Sequence, residues 1–282
     1  MQQDIIKILT RFRKNKVAIA CDIAEMYMNV EIAEEDRKFF RFLWRYTDNP
    51  AEVRVFEFQR LIFGGNASPF LAQLVSRENA ITHKEDYPRA CEIVLESTYM
   101  DDSLDSEHST GSAIELYKQL EKLWGKADMP AWKWLSNDPE VLKQIPQSKR
   151  ADNIKLGEDS SLPTTKTLGL AWNAEEDVFV FEIKVPEEFV YTKRCFLKIM
   201  AAILDPLGFL TPFLVRAKIV MQTLWVKKYD WDETVDEEIS LQMRNWINEI
   251  QEISKFKIPR CLTLHIDQKR DEEIHIFEDA SE

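Results

Sequence analysis

The stretch Glu96-Ser97-Thr98-Tyr99-Met100-Asp101-Asp102-Ser103-Leu104-Asp105 sets two adjacent carboxylates between two short strand-like runs, and its reading decides the fold. Side-by-side aspartates repel each other, so the pair is favourable mainly where water or a cation neutralises it. Aspartate is also a common turn residue for purely conformational reasons. A solvated turn is therefore the alternative to a functional pair, and the rest of the chain has to separate the two.

Upstream, Lys16-Val17-Ala18-Ile19-Ala20-Cys21-Asp22-Ile23-Ala24-Glu25-Met26-Tyr27 is an apolar, partly β-branched run that meets a carboxylate, and it reads as a buried strand. An Asp at the end of such a strand is poorly solvated without a partner, and no basic residue follows before Arg37. A metal ion is the natural partner; an Asp capping the following turn is the equal alternative. Asp22, Asp101 and Asp102 together make an oxygen-only donor set, the type that hard Mg²⁺ prefers when it also holds phosphates.

The spacing of Asp22, Phe63-Gly64-Gly65-Asn66-Ala67-Ser68-Pro69 and Tyr99-Met100-Asp101-Asp102 resembles the palm domain of a reverse transcriptase. Further on, Lys133-Trp134-Leu135-Ser136-Asn137, Thr167-Leu168-Gly169-Leu170-Ala171-Trp172, Thr192-Lys193-Arg194, Leu204-Asp205-Pro206-Leu207-Gly208-Phe209-Leu210-Thr211-Pro212 and Ala217-Lys218-Ile219-Val220-Met221-Gln222 resemble the polyprotein of Bel/Pao-type LTR retrotransposons. The resemblance covers nearly the whole chain. Tyr-Met-Asp-Asp alone is moderately specific; several motifs in the expected order are strong.

That resemblance implies an α+β fold. A polymerase palm, an antiparallel sheet with helices on one face, would occupy residues 1–185 with partial fingers. A helical thumb/connection region would follow over 186–262, and the truncated start of an RNase H-like domain over 263–282, opening on Asp279. The implied activity is RNA-directed DNA polymerisation, extending a primer on an RNA or DNA template from deoxynucleoside triphosphates. Asp22, Asp101 and Asp102 would be catalytic, and Asp22, Ile23, Asp101 and Asp102 would hold two Mg²⁺ ions, or Mn²⁺ in their place. One ion lowers the pKa of the primer 3′-hydroxyl and the other holds the triphosphate.

Tyr27 would be the steric gate against a 2′-hydroxyl, with Phe63, Gly64, Tyr99, Met100 and Lys133 also at the nucleotide. Ser68 and Pro69 would meet the template, and Leu168 and Gly169 the primer. Without the resemblance, Tyr27 is a core aromatic and Lys133, between two tryptophans, a snorkelling strand residue. The chain would be a fragment: the first part of the fingers, the protease, the complete RNase H and the integrase lie in other parts of the polyprotein, which become partners. One competing reading is a catalytically inactive retroelement remnant, at most a nucleic-acid- or protein-binding module. Another is a cellular DNA-templated polymerase, which would share the palm chemistry but lack the Asp205–Gly208 and Ala217–Gln222 segments.

At 282 residues with 45% hydrophobic and 30% charged content, the composition is that of a globular protein with a large core. No run approaches the roughly 18 apolar residues needed to span a bilayer, and the N-terminus lacks a secretory pattern, so no membrane partner and an intracellular location, in a cytoplasmic particle or the nucleus, are expected. Cys21, Cys91, Cys195 and Cys261 are widely separated, which predicts free thiols. The net charge of −12 counts against tight nucleic-acid binding by the chain alone. The charge is uneven, however: residues 1–60 hold eleven Lys/Arg against ten Asp/Glu, while 230–252 hold eight acids and only Arg244.

Element by element, Ile5, Ile6, Ile8, Leu9 and Phe12 predict a helix, and residues 39–46 and 53–60 a hairpin whose Arg41, Arg45, Arg54 and Arg60 face either template phosphates or solvent. Ser68 as N-cap with Pro69 behind it predicts a helix turning Leu71, Leu74 and Val75 inward. Ser112 with Glu115, and Thr234 with Glu237, read as capping boxes. Residues 168–172 and 178–183 read as paired strands. Further helices carry Phe196, Ile199, Met200 and Ile203, then Leu214, Ala217, Met221 and Leu224, then Ile239, Trp246, Ile250 and Ile253.

Overall fold

The structure, a computed structural model, describes residues 3–48, 52–156, 161–186 and 189–263. The expected 263–282 region, with Asp279, lies outside the described residues except for Thr263. Helix α1 (Ile5–Phe12) is capped by Asp4, whose side chain accepts from the Ile6 amide, and it buries Ile8, Leu9 and Phe12. Strand β1 (Val17–Ile23) follows, and then the hairpin β2 (Arg41–Arg45) and β3 (Val53–Glu57). Helices α2 (Ser68–Thr82) and α3 (Pro88–Glu96) lead to β4 (Thr98–Tyr99) and β5 (Asp102–Glu107). Helix α4 (Thr110–Gly125), β6 (Ala131–Ser136) and the short α5 (Pro139–Lys143) complete this half.

The first sheet is antiparallel, in the order β4-β5-β1-β6. Strand β1 is central, which explains why it needed an almost continuous apolar run. Residues of one parity on β1, Ile19 and Cys21, face Ile93 of α3 and Leu120 of α4. The other parity, Ala20 and Asp22, faces away from that helix layer and is only partly covered. The α+β class and the antiparallel sheet backed by helices are thus present.

Several local expectations need correction. The strand-like run before the Asp pair is shorter than expected: Glu96 still belongs to helix α3, and the strand is only Thr98–Tyr99. Ser68 is already helical and Ala67 is the cap position, without a side-chain bond. The buried stripe of α2 is Ser68, Ala72, Ser76 and Ala80 rather than Leu71, Leu74 and Val75. Small residues four apart allow the close approach of α2 to α3, whereas a large side chain on that stripe would hold the helices apart. Helix α4 starts three residues before the expected box: Ser109, in extended backbone, exchanges hydrogen bonds with Ser112, whose hydroxyl does the work expected of Glu115.

The rest of the chain builds a second antiparallel sheet and a helical layer. Strands β7 (Thr164–Thr167), β8 (Leu170–Asn173) and β9 (Val178–Val180) are followed by α6 (Lys193–Ala201), α7 (Thr211–Val226), α8 (Glu237–Ile253) and β10 (Lys257–Pro259). The order is β10-β9-β8-β7, so the strand after the helices returns to pair with β9. Leu168 and Gly169 were expected in a strand but form the two-residue turn between β7 and β8, both with positive φ (+47° and +87°). That backbone matches strand twist in a tight hairpin and suits glycine. Asp236, not Thr234, caps α8 by accepting from the Ile239 amide, because Thr234 bridges to Thr192 instead. Of the apolar stripes expected on α6, α7 and α8, Met200 and Leu214 are half-buried and Ile203 lies past the end of α6, while the other named residues are buried, with Trp246 stacked on Phe213 at 4.7 Å between ring centroids. The four cysteines are free.

Arg260 ties the second sheet to the first. It is fully buried, donates through Nε and Nη2 to the Asp177 carboxylate at 2.6 and 2.8 Å, and donates also to the carbonyls of Phe12 and Lys16 on either side of the α1–β1 connection. Substituting Arg260→Met would leave the Asp177 carboxylate with the Trp172 indole N–H as its side-chain donor and would take one donor each from the Phe12 and Lys16 carbonyls. Removing one member of a buried ion pair costs about 3–5 kcal/mol. Urea unfolding of the variant should show a loss of that order; a loss below about 1 kcal/mol would contradict the clamp.

Candidate active site

The pairing of β1 with β5 runs from Val17 opposite Glu107 to Asp22 opposite Asp102. The tight hairpin between β4 and β5 pairs Tyr99 with Asp102 and leaves Met100, at φ +55°, and Asp101 in its turn. The Asp101 carbonyl accepts from the Ile23 amide at 2.9 Å, which locks the hairpin tip to the end of β1. Three carboxylates, separated in sequence by 80 residues, are therefore brought to one corner of the sheet. Like charges directly opposite each other on paired strands destabilise the pair.

Electrostatics reflects that crowding. The Asp102 carboxyl is pushed up to about 6, first by burial and then by the charges of Asp101 and Asp22. Asp101 is also raised, by burial and by Asp22. Lys133 acts the other way on both. Tyr27 is raised by burial and by Asp101, so the phenol lies within that carboxylate's field. Its ring meets Phe63 at 4.9 Å between centroids. Gly64, next to Phe63, has φ +86°, a backbone that disfavours any side chain.

Asp22 is where the sequence-based expectation changes most. No basic residue follows it along the chain before Arg37, and its partners come from β6. Lys133 Nζ donates to Asp22 Oδ2 at 3.0 Å, and Trp132 Nε1 donates to Oδ1 at 3.1 Å. Trp132 is the cross-strand partner of Asp22, and a register shift between Ala20 and Asp22 adds an extra residue on β6. Lys133 occupies this bulge with φ +50°. A bulge re-aims a side chain that would otherwise alternate away. Trp132 was not singled out in the sequence, since only the register places it on Asp22.

Gln73 of α2 was likewise not anticipated; its amide reaches Met100 Sδ at 2.9 Å and braces the hairpin turn. Ile23 is buried beside Asp22. Ser68 is buried at the start of α2 and Pro69 is exposed beside it. Leu168 and Gly169 belong to the second sheet, where a side chain on Gly169 would touch Leu204 at 3.4 Å. The structure thus gathers Asp22, Asp101, Asp102 and Lys133 at one corner, with Tyr27 in the field of Asp101 and Phe63 against Tyr27, and puts Leu168 and Gly169 on another sheet.

The donor set fits an oxygen-seeking divalent cation in its chemistry: three carboxylates, two of them raised first by burial and then by the charge of their neighbours. In its arrangement Asp22 is turned to β6, and among the described residues no group of three His, Cys, Asp or Glu side chains is gathered to hold a metal ion. A protein-family model described as Pao retrotransposon-like RNaseH-like domain matches residues 192–282, and this supports a Bel/Pao retrotransposon origin. The described part of that region contains α6, α7, α8 and β10. No curated protein matches the chain. No helix among the described residues is long and apolar enough to cross a membrane.

Because the Asp102 carboxyl lies near 6 in the fold against an ordinary 3.8, its ionisation opposes folding. The sign follows: stability falls as pH rises from about 3.8 through about 6, and the cost is complete above that range. In the presence of a chelator, Asp102→Asn should stabilise the chain at pH 7.5 by about 1–2 kcal/mol, after discounting for partial exposure, and by little at pH 4. Denaturation at the two pH values checks this; equal effects at both would contradict a raised Asp102 carboxyl.

Proposed function

We propose that the chain is the polymerase core of a retrotransposon, an RNA-directed DNA polymerase that extends a primer by nucleotidyl transfer. The observation that carries this reading is the β1–β5 register, which sets Asp22 against Asp102 with Asp101 at the hairpin tip. The retrotransposon match over 192–282 supports the setting. Asp22, Asp101 and Asp102 are the residues that would hold Mg²⁺ or Mn²⁺, with Ile23 offering only its carbonyl. Such ions, when bound, activate the primer hydroxyl and balance the charge of the triphosphate. The chain's own residues supply orientation. Tyr27 and Phe63, in ring contact beside the carboxylates, wall the place of the incoming nucleotide, and Gly64 allows close backbone approach.

The region 186–262 would serve as thumb and connection, and the partner would be a template-primer duplex read through shape and backbone. A second reading, an inactive remnant, draws on the engagement of both Asp22 oxygens by β6. Primer extension on RNA and DNA templates with Mg²⁺ separates them. The wild-type chain should extend, and Asp101→Asn should lower the rate about a thousandfold or more, the scale of several kcal/mol of lost charge stabilisation. Extension unaltered by the substitution would overturn the assignment, and a folded chain with no extension would favour the remnant.

A further inference from the structure

Lys133 combines three features that a simple surface ion pair does not need. Its backbone sits at φ +50°, a region that costs a non-glycine residue roughly 1–2 kcal/mol. The bulge it occupies turns its side chain onto the Asp22 face. Its ammonium lies 3.0 Å from Asp22 Oδ2 and 4.8 Å from the centroid of the Trp132 ring, while Trp132 itself holds the other Asp22 oxygen. The lysine side chain is nevertheless 51% exposed, so it can leave Asp22 for solvent without disturbing packing.

We propose that Lys133 is a place-holding cation: its ammonium neutralises Asp22 in the metal-free chain and must be displaced, with the Trp132 indole, before Asp22 can join Asp101 and Asp102 around a divalent cation. This rests on the reading of the three aspartates as the cation-holding group. The device follows from charge. One ammonium stands among three carboxylates, so the cluster folds without an unpaired Asp22 yet stays negative enough to draw in a dication. Because the ammonium and the incoming cation compete for the same oxygen, removing the ammonium strengthens cation binding.

The test uses the full chain with Mg²⁺ alone as the probe. The eight tryptophans give indole N–H signals in a ¹⁵N-tryptophan sample, and Trp132 is assigned by its loss in Trp132→Phe. Titrating Mg²⁺ into the wild type should move the Trp132 signal as Asp22 withdraws. Lys133→Met should bind Mg²⁺ about three- to tenfold more tightly by calorimetry, the scale of a partly exposed ion pair. Lys133→Gly, whose backbone suits the positive φ, should do the same and guards against misfolding of the first variant. Binding that Asp22→Asn abolishes but that neither Lys133 variant tightens, or a Trp132 signal that stays fixed during binding, would overturn the place-holder and leave the cation site standing. Absence of any Asp22-dependent binding in the wild type and both variants would overturn the cation site itself, and the place-holder with it.

Discussion

The antiparallel pairing of β1 with β5 is the constraint on which the rest depends, because it deals carboxylates to both faces of one sheet. Toward the helix layer it sends Asp105 and Glu107. There the charges are met within the protein. Arg89 binds both, at 3.1 and 2.7 Å, the Ser97 hydroxyl donates to Asp105 at 2.6 Å, and Arg11 stands 3.7 Å away. A buried carboxylate with that many donors is structural. Toward the open face the same register sends Asp22 and Asp102, with Asp101 beside them, and the cation acting on all three is Lys133. The contrast between a neutralised cluster and an under-neutralised one, on two faces of the same strands, is what makes the second the candidate site.

That site is held by elements with little freedom. The hairpin tip is tied to β1 through Ile23, its turn is braced by Gln73, and β1 is pinned between β5 and β6. At the far end, Arg260 and Asp177 lock the connection between α1 and β1 to the second sheet, with Trp172 donating to the same carboxylate at 3.0 Å. Lys193, almost wholly buried, lies 3.2 Å from the centroid of the Trp225 ring and 5.0 Å from that of Trp231, joining the start of α6 to the end of α7. Rigid elements position side chains better than loops, and this chain places Asp22 and Asp102 on strands, with Asp101 in the tight turn that joins β4 to β5.

What was legible in the sequence was local. The apolar run of β1, the stripes of α6, α7 and α8, and the Asp pair between two strands all follow from spacing and residue type. The stripe of α2 was misread because its buried residues are small, and apolar size is the signal that periodicity uses. Two helix starts were misplaced by a few residues, since Ser109 and Asp236 compete with neighbouring hydroxyls that also can cap. The partners of Asp22 were hidden for a deeper reason. They lie 110 and 111 residues away, reached through a strand register and a bulge that no short window encodes.

The central claim is that Asp22, Asp101 and Asp102 act as one cation-holding unit. Anomalous diffraction from crystals soaked in Mn²⁺ tests it most directly. The account predicts a manganese peak bounded by these three carboxylates, with Lys133 withdrawn from Asp22. Crystals with no manganese at these carboxylates, and with Lys133 and Trp132 still on Asp22, would contradict it.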